Sequence, residues 1–355
     1  MRTTCPIIET IRKGLIGALT DFVNESGFIA QINLIVELVY ELAEYREEDV
    51  RFFPNVYVVK RHNDSDTLAI IAPGADRIVL KTTEMIEGCG AMILKDSAAM
   101  ADSGWSIFVD VSDVTMRYGL FRSEMMPVSL SSADHMADPD ATSGSGILLR
   151  NCARNCVEMV SSDGKRLEFG LTATKPTPTS VSESFNKLAV EATRSIPAAQ
   201  RDRALSYTQR LIVQVCQQCH GTIIAVLRSD TGELPIEFHD GVRFEEPVDL
   251  LAAIHELKGE RSAATLSRLL ARETLFRGMI QSDGITILNS FGQILAFRVF
   301  VKPNEDEQGK MNQLNIRGGA RSRAFELMKL RLSNSFSCVF FRSQDGNTMC
   351  ELKHD

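Results

Sequence analysis

Two α/β domains in tandem are predicted from three observations. The chain has 355 residues, which is enough for about two domains of ordinary size. Short β-branched runs alternate with amphipathic helical stretches along the chain. A segment of alternating Pro and Thr, Thr172-Ala-Thr-Lys-Pro-Thr-Pro-Thr-Ser180, separates the halves and favours an extended, semi-rigid connector. The predicted division is a mixed α+β domain at 1–173, a linker at 174–182, and an α/β domain at 183–355 with a mixed sheet and packed helices.

Composition narrows the class further. At 44% hydrophobic and 24% charged, the chain has the make-up of a soluble globular protein with two cores. The formal net charge of −7 disfavours a general nucleic-acid coat or a binder of anionic membranes. No apolar run reaches the ~18 residues of a spanning helix. Residues 7–19 are interrupted by Glu9, Arg12 and Lys13, unlike a secretory leader. The eight cysteines are too sparse for a disulfide scaffold, so reduced thiols in a cytoplasmic protein are expected.

In the N-terminal half, Leu34, Ile35, Leu38, Val39 and Leu42 share one helical face. Val56–Val59, Leu68–Ile71, Arg77–Leu80 and Ile107–Val111 are expected strands. A polar, turn-rich loop spans Ser129–Gly146. Val157–Val160 and Arg166–Leu171 flank Ser-Ser-Asp-Gly-Lys and predict a hairpin. His62 and His135 stand alone among polar residues and are expected to be exposed.

The C-terminal half is punctuated more sharply. Ser180-x-x-Glu183 is a capping box that should open a helix, with Pro197 ending or kinking it. A second helix should run from about Arg201, burying Leu205, Thr208, Leu211, Ile212, Val215 and Cys219, and stop at Gly221. The β-branched run Thr222–Leu227 predicts a buried central strand. Pro247 should open a helix at its first position. Another is expected over Ser262–Phe276, burying Leu266, Leu269, Leu270 and Leu275. Strands follow at Ile285–Leu288 and Gln293–Phe300, then a helix after Gly318-Gly319. Strand Phe336–Phe341, a turn at Gln344–Asn347 and a strand ending at Leu352 complete the domain.

Several motifs could carry chemistry. Cys216-Gln-Gln-Cys219-His220 matches a haem-attachment pattern, which the lack of an export signal argues against. Zinc binding with Cys152 and Cys156 is disfavoured by the long separation of the pairs, which leaves buried, inert thiols as the expectation. Asp283-Gly284 follows a helix and directly precedes a buried strand. Its carboxylate should therefore stand at the strand's mouth, where it could meet a divalent cation or a ribose hydroxyl. Gly318-Gly319-Ala-Arg321-Ser-Arg323 leads into a helix with two arginines in its first turn. Unpaired N–H groups and planar cations there suit phosphate, and the cations oppose the helix dipole unless an anion is present. An ordinary turn and a glycine-capped helix with surface arginines explain the same residues without a ligand.

From about Tyr207 onward, the order of these features resembles the diadenylate cyclase (DisA-N) domain. The family's Gly-led strand looks like Gly221-Thr-Ile-Ile-Ala-Val226. Its Leu-Asp-Ala helix segment is similar to Val242–Leu251, and its Asp-Gly-Ala motif to Asp283-Gly284-Ile285. Its Gly-Thr-Arg-His-Arg-Ala-Ala motif resembles Gly319-Ala320-Arg321-Ser322-Arg323-Ala324-Phe325, and its Ser-Glu-Glu-Thr-Gly turn falls at Arg342-Ser343-Gln344-Asp345-Gly346. His239-Asp240-Gly241 lies too early to be the Asp-Gly motif. The separate N-terminal domain is similar to the sensor domains of the DACNV class.

The resemblance implies condensation of two ATP into cyclic di-AMP with Mg²⁺ or Mn²⁺, in facing sites of a homodimer or higher homo-oligomer. Asp283 would hold the metal and position the 3′-hydroxyl, and Arg321 and Arg323 would stabilise the phosphates as catalytic groups. Gly284, Ile285, Gly318, Gly319, Ala320, Ser322, Arg342 and Gln344 would contact the nucleotide. The N-terminal domain would sense an unidentified signal, and the resemblance implies a place in stress or anti-phage signalling. The chain departs from the family at Ala320 and Ser322, where the family has Thr and His, and at Arg342, Ser343 and Gln344, where it has Ser-Glu-Glu, so the hydroxyl and imidazole contacts are altered and a family carboxylate is missing. A receptor that binds ATP or a cyclic dinucleotide without turnover is the alternative.

Overall fold

The computed structural model divides the chain into two units, Met1–Thr174 and Lys175–Asp355. It describes residues 17–47, 50–60, 75–101, 105–122, 136–137, 145–153, 156–170, 181–228, 234–235, 238, 240–252, 263–314, 319–332, 334–344 and 346–353. Both units are α/β with mixed sheets. Among the described residues no helix is long and apolar enough to cross a membrane.

In the first unit, residues 17–25 form helix α1, followed by α2 (Ile32–Glu44) and α3 (Cys89–Ser97). The expected face of α2, Leu34 through Leu42, is buried. A short antiparallel pair, β1 (Arg46–Glu47) and β2 (Val50–Arg51), stands apart. The main sheet uses β3 (Asn55–Lys60), β4 (Asp76–Glu84), β5 (Ser106–Val111), β6 (Thr115–Arg122), β7 (Gly146–Ala153), β8 (Cys156–Ser161) and β9 (Arg166–Gly170). Their order is β4-β6-β5-β3-β7-β8-β9, with β3 and β5 parallel. The hairpin expected around Asp163-Gly164 joins β8 to β9, with Gly164 at φ 85°. The helices cover one sheet face; on the other, Tyr57, Phe108, Phe121 and Leu148 form a second core. Glu37 of α2 accepts the N–H groups of Gly88 and Gly90 and so caps α3. The expected strand at 68–71, the loop residues 129–135 and 138–144, and both His62 and His135 lie outside the described residues.

The second unit starts with α4 (Val181–Ala192) and α5 (Ala198–Gln218). Pro197 caps the start of α5 rather than ending α4, because its fixed φ suits the start of a helix. The buried face of α5 uses Leu211, Ile212, Val215 and Cys216 as its last members, so Cys219 falls at the half-exposed helix end. Then come β10 (Thr222–Leu227), β11 (Val242–Asp249), α6 (Ala263–Gln281), β12 (Ile285–Leu288), β13 (Gln293–Val299), α7 (Glu305–Gln313), α8 (Ala320–Leu330), β14 (Phe336–Arg342) and β15 (Thr348–Leu352). The sheet order is β11-β13-β12-β10-β14-β15, with β10 and β12 parallel and the other pairs antiparallel.

Three sequence expectations need correction. Pro247 does not open a helix; it sits in edge strand β11, where the register slips between Arg243 and Val248 and no ladder donor is needed. Asp249 takes the capping role instead, its side chain accepting from the N–H groups of Leu251 and Ala252. Leu270 and Leu275 of α6 are about half exposed, because Leu269, Phe276, Met279 and Ile280 form the packed stripe. Helix α7 was not expected, although Asn304 and Glu307 form a complete capping box at its start.

Helices α4, α5 and α6 pack on one face of this sheet, and α8 packs on the other. That second face positions the candidate site.

Candidate functional site

Strands β10 and β12 run side by side and in the same direction, with Ile223 opposite Ile285. The residues just before them, His220-Gly221 and Asp283-Gly284, are thereby brought to one sheet edge. Both glycines have left-handed backbone, φ 101° and 104°. A side chain at either would force the backbone to shift: a Cβ on Gly221 would lie 2.9 Å from the Arg342 carbonyl oxygen, and one on Gly284 would lie 2.7 Å from the Arg298 Cα. These sharp bends leave the His220 carbonyl and the Asp283 carboxylate at the strand mouths.

Helix α8 begins over this edge. Arg321, in its first turn, spans the two strand mouths. Nη1 donates to the His220 carbonyl at 3.1 Å, and Nη2 stands 3.5 Å from Asp283 Oδ1. Gly319 is the N-cap; it offers no side-chain bond and has nothing within 4 Å of where a Cβ would lie. No acidic residue sits in that first turn, so the positive helix end is reinforced by Arg321 and Arg323 instead of being compensated.

These residues line a cleft of about 690 Å³. Asp283, Gly284, Ile285, Ala320, Arg321 and Arg323 all contribute, so the structure joins most of the expected site in one place. Ser322 is half-buried and outside the lining. Arg342 is fully inside the protein and faces away. Its cross-strand partner is Thr222, whose neighbour Ile223 faces the cleft. The Arg342 guanidinium instead reaches Thr348 Oγ1 at 3.3 Å and lies over the Phe185 ring. Gly319 and Gln344 are also outside the lining; the Gln344 backbone packs against Gly221 instead. Gly318, Asp345 and His239 lie outside the described residues.

The rest of the lining was not foreseen from sequence. Phe300 and Val301 follow β13, and Gln308, Met311, Asn312 and Leu314 come from α7 and its end. Gln308 Nε2 donates to Asn312 Oδ1 at 2.9 Å. Helix α7 is held by Arg331, which makes 2.9 and 3.0 Å bonds to the two carboxylate oxygens of Glu307 and a third to the Lys302 carbonyl. That forked contact holds the Glu307 carboxyl below the usual glutamate range. The only sequence signal for this part of the lining is the Asn304-x-x-Glu307 pattern.

The lining therefore combines two arginines and one exposed carboxylate with apolar side chains and a pair of hydrogen-bonded amides. Such a site suits an anion that carries both phosphate and a flat, partly apolar group. Mg²⁺ is commonly held by one or two carboxylates together with substrate phosphates, so Asp283 alone fits that role once a polyphosphate is present. No known protein family, curated protein or solved structure matches the chain.

Proposed function

We propose that the C-terminal unit binds a nucleoside triphosphate in this cleft and acts as a nucleotide cyclase of the diadenylate cyclase type, with the N-terminal unit as its regulator. The observation that carries this reading is the pairing of Asp283 with Arg321 on the wall of one cleft. A cation that can hold phosphate and a carboxylate that can hold a metal or a hydroxyl stand side by side. Arg321 and Arg323 neutralise the phosphate oxygens and the charge that develops on the departing pyrophosphate. Asp283 would orient the 3′-hydroxyl and would be the residue to hold a Mg²⁺ or Mn²⁺, which would supply further charge neutralisation. The Phe300 and α7 wall seats the base. Closing a cyclic dinucleotide needs two such clefts facing each other, so a homo-oligomer is required. Control of how protomers meet would then let the N-terminal unit set the output.

The placement of Arg342 favours a second reading. Where the family has its Ser-Glu-Glu run, this chain has Arg342, Ser343 and Gln344, and Arg342 faces away from the cleft, so the unit could bind nucleotide as a receptor without turning it over. Incubation with each nucleoside triphosphate and Mg²⁺ or Mn²⁺, with products separated and weighed, tests the two. A cyclic dinucleotide that disappears in Asp283→Asn supports the cyclase; binding without product supports the receptor. Removal of residues 1–174 should change the assembly or the rate. Identical behaviour of the shortened chain would leave the regulatory role without support.

A further inference from the structure

Helix α7 buries none of its side chains, so apolar packing does not explain where it lies. Arg331 ties it to the unit. The guanidinium, with its side chain only 9% exposed, donates to both Glu307 carboxylate oxygens and to the Lys302 carbonyl, at 2.9, 3.0 and 2.8 Å. The Asn304–Glu307 capping box fixes the first turn as well. A polar helix on the surface is thus held firmly by a buried cation.

The residues that α7 turns to the cleft include Gln308, Met311 and Asn312, which line it together with Asp283, Arg321 and Arg323. Their spacing of three and four residues puts them on one helical face, beside the anchored Glu307. Gln308 Nε2 donates to Asn312 Oδ1 at 2.9 Å. That bond aligns the two amides and leaves Gln308 Oε1 to accept and Asn312 Nδ2 to donate. Exchanging O and N in both amides reverses the bond, yet one acceptor and one donor still face outward. An acceptor beside a donor matches adenine, whose N6 amino group donates and whose N7 accepts. Guanine turns two acceptors, N7 and O6, to the same approach and leaves the amide acceptor without a donor. Phe300, 51% exposed, and Met311 belong to the same lining and offer surface to the flat face of a base.

We propose that Gln308 and Asn312 are specificity-determining residues of the cleft, which grip the N6/N7 edge of an adenine base while the arginines hold the phosphates. This assignment rests on the nucleotide reading of the cleft. The amides meet the base and not the phosphates, so they sort one triphosphate from another without altering the affinity for a base-free polyphosphate. Arg321 acts on every polyphosphate alike.

The test titrates the full-length protein, with Mg²⁺ present, against ATP, GTP and inorganic tripolyphosphate. Wild type should bind ATP severalfold more tightly than either of the others. Gln308→Ala and Asn312→Ala should each weaken ATP about 3- to 10-fold, the worth of one hydrogen bond, and leave tripolyphosphate unchanged. Both side chains are exposed, so the unfolding midpoint should stay in place. Arg321→Ala should weaken ATP and tripolyphosphate together. A wild type that binds tripolyphosphate or GTP as tightly as ATP overturns the assignment and leaves the phosphate site standing. The same follows if the ATP-to-tripolyphosphate ratio is unchanged in both amide variants. Failure of wild type to bind either ATP or tripolyphosphate overturns the nucleotide reading and the assignment together.

Discussion

Gly284 passes so close to Arg298 that a Cβ on it would lie 2.7 Å from the Arg298 Cα, and both residues hold positive φ, 104° and 55°. The register between β12 and β13 slips just beyond this contact. The crossing fixes where Asp283 stands. Gly284→Ala adds a left-handed alanine and a backbone clash at once. We expect a loss of at least about 1–3 kcal/mol, read from denaturant unfolding. An unaltered midpoint would mean that the backbone at this strand mouth yields freely.

Gly319 offers the reverse case. It has extended backbone, φ −79° and ψ −168°, no side-chain cap and open space around its Cβ. In Gly319→Asp the new carboxylate should cap α8 and complement its dipole, adding up to about 1 kcal/mol of stability. The same carboxylate occupies the N–H groups that would meet phosphate, so ATP binding should weaken. A melting point and an affinity that rise together would show that no anion sits at this helix start.

Arg321→Ala should leave stability within about 1 kcal/mol, since the ion pair with Asp283 is substantially exposed at 36% and 69%. Its affinity for ATP should fall by about 1.5–3 kcal/mol, as a charge-assisted contact is lost. Calorimetric titration separates the two effects. Wild-type affinity in both Arg321→Ala and Arg323→Ala would make these arginines structural only.

Glu307 should tie the α7 wall to pH. Its carboxyl is held down by Arg331, so the pair stabilises the fold above the ordinary glutamate pKa of about 4.3 and loses that contribution as pH falls through the lower folded value. Glu307→Gln should cost about 1.5–3 kcal/mol at neutral pH. The gap between variant and wild type should narrow only below pH ~4. A gap that stays constant through that acid range would rule out the ion pair as its source.

Much of the fold was legible because it rests on local patterns. The all-buried strands Thr222–Leu227 and Ile285–Leu288, the α2 stripe and the Asp163-Gly164 hairpin follow from side-chain periodicity and turn chemistry. Pro247 was misread because a proline signals an interruption without saying which kind; only its position on a sheet edge made a strand permissible. Leu270 and Leu275 look like core in sequence, yet the stripe of α6 that packs into the core is Leu269, Phe276, Met279 and Ile280.

For the site, the sequence by itself determined which groups could meet phosphate: Asp283 before a buried strand, and Arg321 and Arg323 at a glycine-led helix start. Those are local facts of residue type and neighbour. Tertiary structure alone decided that Asp283 and Arg321 share a cleft, that Arg342 turns to the other sheet face, and that Gln308 and Asn312 line the same cleft. Strand order and pairing register set these relations, and β10, β12 and β14 become neighbours only when residues far apart in the chain hydrogen-bond.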